Sequence, residues 1–128
     1  MDLISNLISQ VKTAQRAKKE SLEAPFSKMS RSILDILKRG GYISDFEETG
    51  DKIKKLKVAL KYNEAGAPVI RDMKRVSKSS RRVYRPSAEI PRIANGYATV
   101  IVSTPKGVMT GKEATASKQG GEVICYVM

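Results

Sequence analysis

The chain has 128 residues, 41% of them apolar, with 24 Lys and Arg against 13 Asp and Glu, a net charge of +11. It has no His, no Trp and a single cysteine, Cys125. Those counts exclude an intrachain disulfide, a Cys/His zinc site and any Ser-His-Asp or Cys-His catalytic unit, and they point to a reducing compartment.

The apolar share is that of an ordinary globular chain, and the length fits one domain or two small ones. The charge excess points to a polyanionic partner, nucleic acid before an anionic membrane surface. No membrane association is expected. The longest uncharged apolar run, around Ala98–Val102, is far too short to cross a bilayer. Met1-Asp2-Leu3-Ile4 lacks the basic stretch of a signal peptide.

In chain order, Leu3, Ile4, Leu7, Ile8, Val11 and Ala14 fall on one helical face, with Asp2 as the cap. Lys12, Arg16, Lys18 and Lys19 suit the negative end of that helix dipole. The stretch before and after Pro25 is extended. Ser27 then caps a second helix, buried through Met29, Ile33, Ile36 and Leu37 and stopped by Gly40-Gly41. A strand is expected over Tyr42–Phe46 and a turn over Glu47–Asp51. Leu56, Val58, Leu60 and Tyr62 alternate with Lys55, Lys57 and Lys61, which predicts a half-buried strand with a basic outer face.

A third strand is expected over Val69–Val76. Met73–Ala88 holds Lys74, Arg75, Lys78, Arg81, Arg82 and Arg85 and no acid, with a loop at Ser77–Ser80 and a short strand at Val83–Arg85. Ser87–Ala94 reads as a broken helical turn around Pro91, and Asn95-Gly96 as a turn. Ala98–Ser103 is a strand, and Thr104-Pro105-Lys106-Gly107 a type I turn. Thr110-Gly111-Lys112-Glu113 fits a capping box opening a short helix. Gly120-Gly121 ends it, and Glu122–Val127 is the closing strand.

Ser103, Thr104 and Lys106 offer two hydroxyls and an ammonium close to the helix start at Thr110, where unpaired N–H groups suit a phosphate. Hydroxyls also meet base edges and the ribose 2′-OH. The same stretch reads equally as an ordinary polar hairpin. Glu122 is either an acceptor for base amino groups or a salt-bridge partner. Tyr84, between Arg82 and Arg85, either stacks a base or packs in the sheet. Cys125 is a small core or interface residue. Asp45, Glu47, Glu48 and Asp51 are candidate Mg²⁺ ligands or a solvated turn. No cofactor is expected.

Two segments carry a family resemblance. Val100-Ile101-Val102-Ser103-Thr104-Pro105-Lys106-Gly107-Val108-Met109-Thr110 and Gly120-Gly121-Glu122-Val123-Ile124-Cys125-Tyr126-Val127 closely resemble the family of the eighth protein of the small ribosomal subunit, bacterial or organellar type. Pro25-Phe26-Ser27-Lys28, Ile36–Ile43, Arg75-Val76-Ser77 and Arg82-Val83-Tyr84 agree with it in order along the chain.

The resemblance implies an α+β fold of two small domains, residues 1–66 and 67–128, packed as helix, sheet, sheet and helix layers. It implies a non-enzymatic structural constituent of the small subunit that binds central-domain ribosomal RNA and assists assembly. The implied partners are that RNA, neighbouring small-subunit proteins and the protein's own messenger RNA, with autoregulation of translation. The implied location is the cytoplasmic ribosome, or an organelle ribosome if organelle-encoded. RNA contacts would come from Ser103, Thr104, Lys106, Gly107 and Glu122, with Tyr84, Arg81, Ser27 and Lys28 on flanking backbone; Thr110 joins them from the spacing argument above. Pro105 and Phe26 stand where the family has serine, and Gln10–Arg16 departs from the family's first helix. A DNA-binding architectural protein and a metal-dependent nuclease built on Asp45–Asp51 are the competing readings.

Overall fold

The apolar face of the first segment forms helix α1, Leu3–Arg16, which buries Leu7, Ile8, Val11 and Ala14. The computed structural model describes residues 3–128, so the expected Asp2 cap lies outside the described residues. After α1 come strand β1 (Ser21–Pro25), helix α2 (Lys28–Arg39) and strands β2 (Ile43–Thr49) and β3 (Lys55–Leu60). Ser27 caps α2 as expected, its Oγ accepting from the Ser30 N–H at 3.0 Å. Gly41 leaves the helix at φ 78°, a left-handed position that favours glycine.

The sheet order is β1-β3-β2, and both outer strands run antiparallel to β3. They are therefore parallel to each other, and α2 is the crossover between them. Helix α1 packs on β1 and α2 on β2. Leu22 and Ala24, with Leu56, Val58 and Leu60, supply the buried sheet face.

Two expectations change here. Strand β2 continues through Thr49 instead of turning at Glu47. Its charged end is stable as strand because Glu47 lies opposite Lys57 and Glu48 meets Arg31 at 2.8 Å. The turn begins at Gly50 instead, at φ 90°, where a Cβ would sit 2.1 Å from the Ile53 carbonyl oxygen. The outer face of β3 is also less basic than the lysines alone predict. In register, Lys57 lies between Glu23 and Glu47, and Lys55 approaches Glu23 at 3.9 Å.

By contact density the chain divides into two units, Met1–Arg71 and Asp72–Met128. The second contains β4 (Met73–Arg75), β5 (Tyr84–Arg85), 3₁₀ turns at Ser87–Glu89 and Ala94–Gly96, β6 (Thr99–Thr104), β7 (Gly107–Thr110), α3 (Gly111–Ala116) and β8 (Gly121–Val127). The strand expected over Val69–Val76 shrinks to β4, because the Val69 N–H donates back to the Lys61 carbonyl, and pairing with β8 closes where the Val76 and Ser77 N–H groups share the Ile124 carbonyl. The order is β4-β8-β6-β7, with β5 also paired to β8. Val100, Val102 and Val123 form a core cluster with Val83, Ile90 and Ile93 against it. Ile101, on the other face of β6, is also fully buried, which accounts for the unbroken β-branched run there.

Cys125 is fully buried in β8, and burial pushes its thiol from the ordinary 9.0 up to about 12. The folded chain should therefore resist alkylation near neutral pH and react only on unfolding. Above pH 9.0 the unfolded chain releases a proton that the folded chain keeps until about 12, so stability should decline across that window. Denaturation midpoints for the parent chain and Cys125→Ala against pH will show it: the decline should flatten in the variant.

Candidate nucleic-acid interface

Strand β8 is used on both edges. Strand β6 pairs along one, and β4 and β5 pair with opposite ends of the other. Between β4 and β5 the chain makes the cation-rich excursion that spans Val76 to Val83. The Ile124 carbonyl of β8 secures its root. The register with β6 jumps from Ile101↔Cys125 to Val102↔Val123, which leaves Ile124 out of that ladder. The Ile124 carbonyl accepts from the N–H groups of Val76 at 2.9 Å and Ser77 at 3.3 Å.

Ser77 is fully buried, and its Oγ accepts from the Val83 N–H at 2.7 Å. Arg75 donates through Nε to the Ser77 carbonyl. At the tip, Lys78 and Arg81 exchange backbone hydrogen bonds of 2.9 Å. The loop is thus closed at both root and tip. Ser77 was legible only as a loop residue; its anchoring role depends on the Val83 N–H and on the distant Ile124 carbonyl.

Three predicted site residues meet in one row. Tyr84 on β5 and Ser103 on β6 both lie opposite Glu122 on β8. Cross-strand neighbours share a face, so the three side chains project together, away from the Val102–Val123 face. Tyr84 is 61% exposed and thus available for stacking. The Glu122 side chain is only 12% exposed, and its carboxylate accepts from Arg82 at 3.0 and 3.3 Å. Glu122 is a held ion-pair partner at the centre of the row.

The glycine pair lets the strands approach. A Cβ on Gly121 would lie 2.0 Å from the Ser103 carbonyl oxygen, and one on Gly120 would lie 2.8 Å from the Arg85 carbonyl oxygen. The sequence motif therefore does more than end α3.

The adjoining turn is internally braced. Thr104 is 8% exposed; its Oγ1 donates to the Gly107 carbonyl at 2.8 Å and accepts from the Lys106 N–H at 3.2 Å. Its hydroxyl is committed to the turn, whereas the Lys106 side chain is exposed and forms no ion pair among the described residues. Gly107 sits at φ 122°. Thr110 lies at the other end of β7, outside the row. It caps α3, with its Oγ1 accepting from Glu113 N–H at 3.1 Å and the Glu113 carboxylate accepting from its own N–H at 3.3 Å. That end of α3 already holds a carboxylate.

Ser27 and Lys28 belong to the first unit. The Ser27 hydroxyl is engaged as a cap, and Lys28 is exposed. The acidic stretch forms no metal cluster: among the described residues no three of His, Cys, Asp or Glu converge. Asp45 instead meets Lys38 at 2.9 Å. Hydrogen bonds from Lys38 and the Phe46 N–H, with the Lys38 charge, hold its carboxyl below the usual range.

The second unit carries ten basic and four acidic residues, a net +6. Arg82 is paired with Glu122, Arg75 with a carbonyl, and Arg85 donates to the Tyr84 carbonyl at 2.8 Å. The side chains of Lys78, Arg81 and Lys106 form no ion pair among the described residues. What emerges is an exposed aromatic ring, a Ser103 hydroxyl with no hydrogen bond among the described residues, Lys106 on a rigid turn, and Lys78 and Arg81 on the β4–β5 loop.

The chain is similar to known proteins along almost its whole length. A family model described as Ribosomal protein S8 matches residues 2–128. The chain is 49% identical over 127 residues to the small ribosomal subunit protein uS8 of Burkholderia mallei (strain SAVP1), covering 98% of this chain and 96% of that protein. Proteins of the same name from Burkholderia pseudomallei (strain 668) and Burkholderia thailandensis match with the same identity and coverage.

Gly121→Ala should cost about 3 kcal/mol, because the clash is with backbone and cannot relax locally. Ser77→Ala should cost about 1–2 kcal/mol by leaving the buried Val83 N–H without its acceptor. Urea denaturation of both variants measures these losses, and a neutral Gly121→Ala would contradict the close approach.

Proposed function

The chain belongs to the ribosomal protein S8 family, and on that premise we propose that its second unit binds small-subunit ribosomal RNA directly, in the central domain, and assists subunit assembly. Family membership makes it a structural protein of the small ribosomal subunit and not an enzyme. The observation that supports direct binding is the row of Tyr84, Glu122 and Ser103 beside the braced Thr104–Gly107 turn.

The mechanism has two components. Lys78, Arg81 and Lys106 neutralise phosphates and release counterions, a contribution indifferent to sequence and sensitive to salt. The row supplies selectivity. The Ser103 hydroxyl meets a 2′-OH or base edge, the Tyr84 ring takes an unpaired base, and Glu122, held by Arg82, accepts from a base amino group. Thr104 and Gly107 act by keeping the turn rigid, so that Lys106 is positioned before binding and little ordering cost remains. Lys28 in the first unit adds a backbone contact, and Ser27 shapes the start of α2 beside it. Thr110 orients the far end of β7.

Within the same reading, a folded segment of the protein's own messenger RNA competes for the same row and represses translation. Neighbouring small-subunit proteins cover other surfaces, and the protein resides on ribosomes of the bacterial cytoplasm.

Lys106→Ala should weaken binding to a central-domain transcript by about 1–2 kcal/mol, the loss of one charge-assisted hydrogen bond. Filter binding measures it, and unchanged affinity would remove the turn from the interface. Affinity should fall steeply and linearly with the logarithm of salt concentration; a flat response would contradict phosphate neutralisation. Excess duplex DNA should compete poorly with the transcript, since it offers no 2′-OH.

A further inference from the structure

A second concave site lies on the same unit, away from the row. It has a cavity of about 510 Å³ between the 3₁₀ segment, the start of β6 and α3. Ile90, Val100 and Ala116 give it apolar walls, and Arg92 and Lys112 line it with positive charge; no Asp or Glu lines it. Gly111 keeps the floor open: a Cβ there would stand 3.2 Å from the Ile90 side chain and 3.3 Å from Val100.

Tyr97 lines this cavity and is 87% exposed. A large ring so exposed is unusual beside an apolar cleft. The backbone presents it at a conformational cost. Ala94, Asn95 and Gly96 take φ values of 54°, 56° and 88° in succession, and the first two are side-chain-bearing residues in the left-handed region. The Arg92 guanidinium lies along the same turn, with a nitrogen 3.2 Å from where a Gly96 Cβ would stand. Neither Arg92 nor Lys112 forms an ion pair among the described residues.

We propose that this cavity receives an unpaired nucleobase of the bound RNA, stacked on the Tyr97 ring with its phosphates against Arg92 and Lys112. The proposal rests on the RNA-binding reading above and adds a second contact to it. A base has two apolar π faces and carries its anionic phosphate alongside. That matches an exposed ring beside an apolar hollow lined by cations without a carboxylate. Strand β6 links the two sites: Thr99 lines the cavity and Ser103 belongs to the row. The separation along the strand is roughly 13 Å, so one RNA molecule reaches both. An apolar peptide segment of another protein is the rival occupant.

The test uses the full chain and a central-domain transcript of small-subunit ribosomal RNA in filter binding. Tyr97→Ala, Tyr97→Phe and Lys106→Ala are compared, with circular dichroism melts to show that each variant is folded. Tyr97→Ala should weaken binding about tenfold while Tyr97→Phe, which keeps the ring, stays within about twofold. If Tyr97→Ala binds like the parent while Lys106→Ala is impaired, the base-stacking proposal is overturned in favour of a protein occupant and the RNA-binding reading stands. If Tyr97→Phe is as impaired as Tyr97→Ala, the hydroxyl and not the ring face carries the contact, and stacking is overturned. If neither Tyr97→Ala nor Lys106→Ala changes affinity, stacking is overturned and the turn leaves the interface; if the parent chain itself does not bind the transcript, the RNA-binding reading falls.

Discussion

The approach of β8 to its neighbours, backbone against backbone, is the constraint on which the second unit depends. Gly121 lies so near the Ser103 carbonyl that no side chain fits, and Gly120 makes a less extreme approach to the end of β5. Only this approach places Tyr84, Glu122 and Ser103 in a single row from three segments distant in sequence. The Ile124 carbonyl completes it on the β4 side of β8, accepting from Val76 and Ser77 and so rooting the cationic loop.

Electrostatics divide the cations into two kinds. In the first unit many are matched locally: Arg31 with Glu48, Lys38 with Asp45, Arg39 with Asp35, and Lys55 near Glu23. Such exposed pairs contribute little stability and offset only part of the first unit's charge, which still comes to +5. In the second unit Arg75, Arg82 and Arg85 hold backbone or Glu122 in place, while Lys78, Arg81 and Lys106 remain for a partner. The charge is therefore sorted into cations held by the scaffold and cations with no ion pair among the described residues, which the overall figure of +11 conceals. The same sorting applies to hydroxyls: Thr104, Thr110 and Ser27 close turns and caps, and Ser103 stays available.

Much of this protein was legible from local chemistry. The periodicities of α1 and α2, the Ser27 and Thr110 caps, the alternation in β3 and the β-branched run of β6 all depend on residues a few positions apart, and each appears in the structure. The resemblance supplied the family, because its C-terminal motifs are long and specific. What misled were segments whose fate depends on distant partners. Glu47 and Glu48 look like a turn until Lys57 and Arg31 stand opposite them. Val69–Val76 looks like a full strand until the Val69 N–H is claimed by Lys61 and only Met73–Arg75 pairs along β8. The lysines of β3 look like a basic face until Glu23 and Glu47 flank them.

The amino-acid sequence by itself determined the elements, the absence of histidine chemistry, the surplus of positive charge and the family, since each is a matter of composition or short-range order. Tertiary structure alone decided which cations are spent on scaffold, which hydroxyls remain free, and that Tyr97 stands exposed over a hollow while Glu122 is nearly covered. The physical reason is that a side chain's commitment depends on what lies across a strand or beneath a turn. Those neighbours are set by register and by glycine-permitted approach, neither of which is a local property of the chain.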